Sequence, residues 1–296
     1  MKKLLWMLIL AYGTVSTGFS QGSLVSDPTK AQFIDSDIAR FWQAFDQMSS
    51  VKNPFNQYMK EGSPGLKDFV PFRIKNGKQL NRIVRKKKAS YAAIRENSLK
   101  VKAQYPPILK AFQNFKELYP KAVFPTTYFI IGAFNTGGTI SKHGLIIGVE
   151  KQQNIEEIPF IVAHELIHFN QKYPRKRYSL LETSIKEGSA DFLGELIAGK
   201  HINTATFVYG NAHEAELCAE FVKIMNDTKY RGWLYGTRGR KKGRPKDLGY
   251  WMGYQICKAY YQQASDKKEA IRAILNIQDF DSFLAKSGYL AKYLQK

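Results

Sequence analysis

The first third of the chain has apolar residues at intervals of three and four, which is the spacing of one face of a helix. The clearest run follows Ser36 or Asp37, either of which can cap a helix. Its apolar members are Ile38, Phe41, Trp42, Phe45 and Met48. A turn is predicted at residues 61–65 and further helices over residues 78–118. Residues 21–118 are therefore predicted to form a helical N-terminal lobe.

The pattern changes in the middle of the chain. Residues 127–132 and 145–149 are short runs rich in β-branched and aromatic side chains, with a turn region at Gly137 and Gly138 between them. These runs predict strands of a small sheet. A helix is predicted next, opening near residues 156–159, because acidic residues and a proline suit the first turn of a helix.

A second helix in this half is marked at both ends. Ser179 and Glu182 match a capping box, and Gly199 stands where a helix commonly ends. The helix is therefore predicted over residues 180–198. A basic, glycine-rich loop over residues 231–249 then leads to a tyrosine-rich helix and further short helices.

The chain of 296 residues, 44% of them apolar, has enough material for one sizeable domain or two joined lobes. Its first twenty residues have the layout of a secretory signal peptide, with a basic start, an apolar run from Leu4 to Tyr12 and small or polar residues up to Ser20. That run is shorter than the roughly 20 residues that cross a bilayer. Cleavage near Ser20 is therefore favoured over anchoring, and the mature chain is expected to be periplasmic or extracellular, with no transmembrane segment.

The formal net charge of +20 is concentrated at residues 85–88, 175–177 and 238–246. Such patches attract anionic partners, here an anionic surface of the cell envelope. A solvated basic surface is the plainer interpretation. No nucleic-acid-binding motif accompanies the patches, so no specific nucleic acid is expected as a partner. Cys218 and Cys257 allow either one disulfide or two buried free thiols, and the sequence leaves both open.

The segment His164-Glu165-Leu166-Ile167-His168 lies within the helix predicted to open near residues 156–159. Residues i and i+4 share one helical face, so both imidazoles can reach one metal ion. Glu165 points about 100° round the helix from His164. There it can accept a proton from an attacking water and pass it to a leaving amine. Structural histidines are the alternative, although an apolar core helix does not ordinarily carry such groups without partners.

Catalytic zinc usually takes three protein ligands and keeps one position open. The metzincin pattern would need a glycine and a histidine where this chain has Gln171 and Pro174, so that class is rejected. The helix over residues 180–198 offers four acids instead. These are Glu182, Glu187, Asp191 and Glu195. Glu182 is already explained by the capping box and lies too near the start of the helix.

Glu187 is the favoured third ligand, because a loop and two helical turns let the second helix fold back beside the first. Asp191 is one turn further on the same face. It is placed to accept the free ring N–H of His164, as carboxylates do for metal-bound histidines. The alternative is that both are solvent-facing acids on an amphipathic helix.

The motif at residues 164–168, followed by Lys-Glu-Gly-Ser-Ala-Asp at residues 186–191, resembles the gluzincin clan of metallopeptidases, to which thermolysin belongs. In that clan a glutamate on the next helix is the third ligand and an acid one turn later supports the first histidine. The resemblance thus implies these roles for Glu187 and Asp191, around one Zn²⁺ ion. A wider likeness is to an uncharacterised bacterial family of predicted zinc-dependent proteases. It also includes residues 62–69, 144–150 and 248–254.

The resemblance implies a zincin-like α+β fold, mostly helical, with a small mixed sheet packed on the active-site helix. The expected layout is a signal peptide over residues 1–20, the helical lobe over 21–118 and a catalytic domain over 119–296. Within that domain, residues 119–172 would supply the sheet and the metal-binding helix. Residues 173–296 would form a helical lower lobe.

Two further roles follow from zincin chemistry. The oxyanion of amide hydrolysis needs a donor, which related enzymes often take from a Tyr or His of the C-terminal lobe, and the candidates here are Tyr250 and Tyr254. Any one of 17 tyrosines can equally serve the core or the surface. Gly138 and Thr139 can bind substrate backbone as a strand edge, or form an ordinary turn.

The sequence therefore predicts a zinc-dependent peptidase that hydrolyses a peptide or protein substrate, with Glu165 as general base. One alternative is a non-catalytic binding or assembly protein of the cell envelope that keeps a structural zinc site. The other is a basic module that binds polyanions.

Overall fold

The structure, a computed structural model, describes residues 24–152, 154–174, 177–230, 232–235 and 241–294. The predicted signal peptide lies outside the described residues, and so do parts of the basic segments 175–177 and 238–246. Within the described ranges the chain forms fourteen α-helices and four β-strands. The predicted α+β class, mostly helical with a small mixed sheet, is confirmed.

A two-residue strand and six helices precede the rest of the sheet. They are β1 (Phe33–Ile34), α1 (Ser36–Asp46), α2 (Phe55–Lys60), α3 (Pro64–Phe69), α4 (Gly77–Lys86), α5 (Lys88–Leu99) and α6 (Tyr105–Leu118). Neither Ser36 nor Asp37 caps α1, because both lie inside it; the N-cap is Asp35, whose side chain makes no capping bond. Asp37 has another role. Its carboxylate is buried and accepts a hydrogen bond of 3.0 Å from the backbone N–H of Ser63, which ties α1 to the start of α3.

The sheet has the strand order β1-β2-β4-β3. Its other strands are β2 (Thr127–Ile130), β3 (Gly138–Ser141) and β4 (Gly144–Gly148). β1, β2 and β4 run parallel, whereas β3 pairs antiparallel with β4 and forms an edge of the sheet. β2 and β4 are buried throughout, as expected for strands covered on both faces. Gly138 and Thr139, for which the sequence allowed either a strand edge or a turn, lie in β3.

The two helices that carry the predicted metal ligands are α7 (Ile158–Asn170) and α8 (Leu180–Ala198). α7 packs on β3 and β4 and lies against α8. α8 begins at the capping box of Ser179 and Glu182, and ends at Gly199, which has a φ of 85°. The caps therefore predicted both ends of α8.

Six helices follow α8. They are α9 (Thr204–Ala212), α10 (Glu214–Ile224), α11 (Leu248–Gln263), α12 (Lys267–Leu275), α13 (Phe280–Ser287) and α14 (Ala291–Leu294). α11 crosses α8 at backbone contact distance, because a Cβ atom on Gly253 would lie 1.7 Å from the carbonyl oxygen of Ser184. A Cβ atom on Gly188 would lie 2.1 Å from the backbone nitrogen of Tyr254. Glycines on both helices thus fix α8 against α11.

The N-terminal helices and the later elements share one apolar core. β1 pairs with β2, and α6 packs against α7 and α8. Cys218 on α10 and Cys257 on α11 are buried free thiols. Among the described residues, no helix is both long enough and apolar enough to span a membrane.

Candidate metal centre

His164 and His168 lie on one face of α7, with ring centroids 4.6 Å apart. Glu187 faces them from α8. His168 Nε2 lies 3.1 Å, and His164 Nε2 3.6 Å, from Glu187 Oε2. Zinc bonds of 2.0–2.1 Å in a tetrahedron separate neighbouring ligand atoms by about 3.3 Å. The three side chains therefore have both the chemistry and the spacing of a zinc site.

Each histidine is held through its other ring nitrogen. His164 Nδ1 lies 2.8 Å from Asp191 Oδ1. An ionised carboxylate only accepts hydrogen bonds, so Nδ1 carries the proton and Nε2 is left for a metal. Asp191 is itself fixed by the side-chain amide of Asn203, which donates to Oδ2 at 2.6 Å. The order of these contacts along α7 and α8 shows that the two helices run antiparallel.

Gln171 holds the ring of His168 through Nδ1, as Asp191 holds that of His164. His168 Nδ1 lies 2.9 Å from Gln171 Oε1. The amide nitrogen of Gln171 donates to the backbone carbonyl of Lys186 and to Ser189 Oγ, both at 2.9 Å. These two bonds fix Oε1 as the acceptor, so His168 donates through Nδ1 and also presents Nε2.

Glu165 lies on α7 between the two histidines, with its carboxylate under the edge strand. A Cβ atom on Gly138 would lie 2.4 Å from Glu165 Oε1, so a larger side chain at that position would displace the carboxylate. Burial raises the pKa of Glu165, while the nearby charges of His164 and His168 oppose the shift. The carboxylate is thus a stronger base than an exposed glutamate.

His164 and Glu187 each affect the pKa of the other. Burial disfavours the charged form of His164, but hydrogen bonds with Asp191 and Glu187 outweigh it and raise the pKa of that imidazole well above its usual range. Burial also disfavours ionised Glu187, yet the charge of His168 and bonds from both histidines hold its pKa well below the usual range. The carboxylates of Glu187 and Asp191 thus favour a positive charge on His164. A bound metal cation would supply that charge in place of the proton.

Two tyrosines adjoin Glu187. The ring of Tyr250, on α11, stacks on His164 at a centroid distance of 6.0 Å. Burial and the charge of Glu187 raise the pKa of Tyr250 well above its usual range. Tyr235 lies in the loop before α11, and its hydroxyl donates to Glu187 Oε1. Burial raises the pKa of Tyr235 as well, so both phenols stay protonated, and the proton of Tyr235 is already donated to Glu187.

Tyr254, the other predicted oxyanion donor, has different partners. Its hydroxyl donates to Glu195 Oε2 at 2.6 Å. Its ring packs edge-on against Phe192 and Phe207. Glu195 is two helical turns beyond Glu187, so these contacts hold Tyr254 on the far part of α8 rather than beside the three ligands.

Residues 126–278 match a family model described as Predicted Zn-dependent protease (DUF2268). The chain belongs to this family. The resemblance to an uncharacterised family of predicted zinc proteases is therefore confirmed. Search of the proteins with curated descriptions and of the solved structures gives no match. The DUF2268 description names zinc and proteolysis but no residue and no substrate.

The DUF2268 segment also contains three polar residues near the metal ligands that the sequence did not reveal. Gln171 drew attention only as a departure from the metzincin pattern. Asn203 follows α8 without any motif of its own. Tyr235 lies in a loop in which the main sequence signal is positive charge. Each is recognisable only from the side chain that it contacts in the fold.

Proposed function

We propose that the protein is a zinc-dependent peptidase with a zincin-like fold, in which His164, His168 and Glu187 hold one Zn²⁺ ion. The observation that carries the proposal is the spacing of the two Nε2 atoms and Glu187 Oε2, with the Glu165 carboxylate beside them. Membership of the DUF2268 family supports zinc and proteolysis in general terms. The substrate would be a peptide or a protein.

Zinc supplies a Lewis acid that polarises the scissile carbonyl and lowers the pKa of the attacking water toward about 7. Glu165 takes the proton from that water while the water oxygen forms a bond to the carbonyl carbon. When the carbon–nitrogen bond breaks, Glu165 gives the proton to the leaving amine. Its position beside Gly138 supports this role, because the carboxylate then lies next to the strand that is proposed to hold the substrate backbone.

The edge of β3 is proposed to bind the substrate backbone. Gly148 N donates to Gly137 O at 2.9 Å, so in the antiparallel register alternate residues of β3 bond to β4. Thr139 and Ser141 then face β4, whereas the N–H and C=O groups of Gly138 and Ile140 point away from the sheet. A peptide strand can pair with this edge next to Glu165.

Tyr250 is proposed as the donor to the oxyanion, since its ring lies on His164 and its hydroxyl stays protonated. Tyr235 is assigned to holding Glu187, because its single O–H proton already donates to Oε1 of that carboxylate. Tyr254 is assigned to the packing of α11 on α8, in view of its bond to Glu195.

We further propose that the protein acts outside the cytoplasm, on the strength of the signal-like first twenty residues. Contact with an anionic surface of the cell envelope is proposed through residues 85–88, which are all exposed. The segment that ends at Lys246 is less suited to this role. Its Arg244 is only 6% exposed and bonds to Glu220.

The test is peptide hydrolysis by the zinc-loaded protein and by Glu165→Gln. The wild type should cleave members of a diverse peptide library, and a chelator should abolish the cleavage. Glu165→Gln should lose roughly 100- to 10,000-fold in kcat while binding the same amount of zinc, because general-base catalysis contributes about that much. Glu157→Gln, an exposed acid just before α7, should keep full activity.

Loss of activity together with loss of zinc in Glu165→Gln would contradict a purely catalytic role for this carboxylate. Zinc binding by the wild type without any cleavage would favour a non-catalytic binding or assembly protein instead.

A further inference from the structure

A cavity of about 380 Å³ lies beside β3, on the face of the sheet away from α7. Its apolar lining comes from Phe69, Pro71, Phe72, Ile140 and Ile146. Phe69 and Ile146 are buried in the core and form a fixed floor. Thr139 of β3 also lines the cavity, so it opens directly onto the strand edge that is proposed to bind substrate.

Phe72 is the unusual member of this lining, because 83% of the residue is exposed. It belongs to a short helical segment (Val70–Ile74), in which Ile74 is buried. Phe69, just before the segment, is buried too. The side chain of Asn135 donates to the carbonyl of Arg73 at 2.7 Å, which fastens this segment to the loop before β3. Exposed apolar surface that adjoins an apolar cavity, as Phe72 does here, is characteristic of a binding site.

The alternation of side chains decides which substrate residue meets this cavity. Gly138 faces Glu165 and α7. Its neighbour Thr139 faces the other way, as does Ile146, which lies directly opposite Thr139 on β4. In a strand added to β3, the residue opposite Thr139 therefore points toward Phe72, and the residues on either side of it point toward the metal ligands.

In antiparallel pairing, Ile140 makes two hydrogen bonds with one substrate residue, and the carbonyl of Gly138 accepts one from the N–H of another, whose own carbonyl turns toward the metal ligands. The substrate then runs against β3, so the residue opposite Thr139 precedes the residue opposite Gly138. Glu165 lies at Gly138, and the attacked carbonyl therefore belongs to the residue paired with Gly138. The side chain in the cavity belongs to the residue just before that one, at the second position before the cut bond.

The charges around the cavity favour some side chains over others. Lys67, Arg73 and Lys142 line it, together with Asp68. Asp68 is engaged by His143, whose Nδ1 lies 2.8 Å from its Oδ2. A basic side chain would therefore meet three like charges and one carboxylate that already has a partner.

We propose, resting on the peptidase function above, that this cavity is a specificity subsite for a large apolar side chain at the second position before the cut bond, and that it rejects Lys and Arg. Phe72 covers the side chain from the solvent side, while Phe69 and Ile146 support it from below. The substrate class is thus a peptide with an aromatic or large aliphatic residue at that position.

The test compares zinc-loaded wild type with Phe72→Ala on peptides that differ only at this position, which carries Phe, Leu, Ala or Lys. For the wild type, kcat/KM for the Phe peptide should exceed that for the Ala peptide by roughly 10- to 100-fold, with the Lys peptide slowest. In Phe72→Ala, kcat/KM for the Phe peptide should exceed that for the Ala peptide by only a few-fold. Val208→Ala, which removes an exposed apolar side chain from α9, should keep the wild-type ratio.

Cleavage of all four peptides with ratios that Phe72→Ala leaves unchanged would overturn the subsite and leave the peptidase standing. A preference for the Lys peptide would also overturn the subsite and leave the peptidase standing. If no peptide is cleaved, the peptidase proposal fails, and the subsite is measured separately by peptide affinity for zinc-loaded Glu165→Gln. Equal affinities for the Phe and Ala peptides in that measurement would overturn the subsite too.

Discussion

At the scale of single residues, the orientation of the proposed metal ligands depends on polar neighbours. Asp191 holds Nδ1 of His164, and Gln171 holds Nδ1 of His168. Such partners keep the imidazoles in the tautomer that binds metal and increase their basicity. The ligand geometry is therefore a property of the surrounding side chains as well as of the ligands.

We expect Asp191→Asn to weaken zinc binding by roughly 10- to 100-fold, because a neutral amide replaces the carboxylate that accepts the His164 N–H. Competition with a chromophoric chelator measures this affinity directly. Asp266→Asn, an exposed cap of α12, is the matched control and should bind zinc as the wild type does. An unchanged zinc affinity in Asp191→Asn would remove Asp191 from the site.

Glu150 is a buried carboxyl outside the metal centre. Its Oε1 accepts a bond of 3.2 Å from the backbone N–H of Phe134, and its Oε2 has no partner among the described residues. Burial raises the pKa of Glu150 from 4.5 to about 7. The folded chain therefore holds this proton to a higher pH than the unfolded chain does.

The free energy of unfolding should consequently fall as the pH rises from about 4.5 to about 7, and stay at its lower value above that range. Glu150→Gln removes this titration, so it should flatten the profile and raise stability at pH 8, by at most about 3 kcal/mol. Urea unfolding at several pH values measures both effects. Glu156→Gln, at an exposed position, should leave the profile unchanged, and a less stable Glu150→Gln at pH 8 would contradict the prediction.

Residue chemistry was predictable where it follows helical spacing. Residues 164–168 and Glu187 indicated a metal site because i, i+4 geometry and a capped second helix restrict where those side chains can point. Tyr235 was not predictable. Its contact with Glu187 depends on the path of a loop, for which the sequence carries no periodic signal.

At the scale of elements, helices with marked ends and strands with β-branched and aromatic runs were predicted well, whereas β1 was not predicted and β3 was left open between a strand and a turn. α8 has a capping box and a terminal glycine, so both of its ends appear in the sequence. β1 has only two residues, and β3 is Gly-Thr-Ile-Ser, which lacks the aromatic and β-branched run that marks β2. They form because β2 and β4 offer unpaired edges, which is a property of the fold rather than of the segments.

The crossing of α8 and α11 gives a prediction about packing. Gly253→Ala would place a methyl group 1.7 Å from the carbonyl oxygen of Ser184, and backbone cannot move aside without separating the helices. We expect a loss of roughly 1–3 kcal/mol or more, measured as a lower Tm. Gly194→Ala is the matched control on α8, since its nearest contact would be 3.4 Å. Equal Tm values for the two variants would contradict close packing at Gly253.

At the scale of the whole molecule, the DUF2268 segment contains the proposed metal ligands but not the complete fold. It covers residues 126–278, whereas β1, α1 and α6 precede it. β1 extends the sheet, and α6 packs on α7 and α8, the two helices of the candidate metal centre. The sequence suggested an N-terminal lobe ending near residue 118, because helical periodicity stops there. The contacts across that point were not predictable, since local patterns do not report which distant elements pack together.

The central claim is that His164, His168 and Glu187 bind one zinc ion. A crystal structure of the mature, zinc-loaded protein with data collected on both sides of the zinc absorption edge tests it most directly. We expect one anomalous peak per chain, bonded at about 2.0–2.2 Å to Nε2 of both histidines and to a Glu187 oxygen, with Glu165 near the metal but not bonded to it. A peak held by other side chains, or no peak among these three residues, would contradict it.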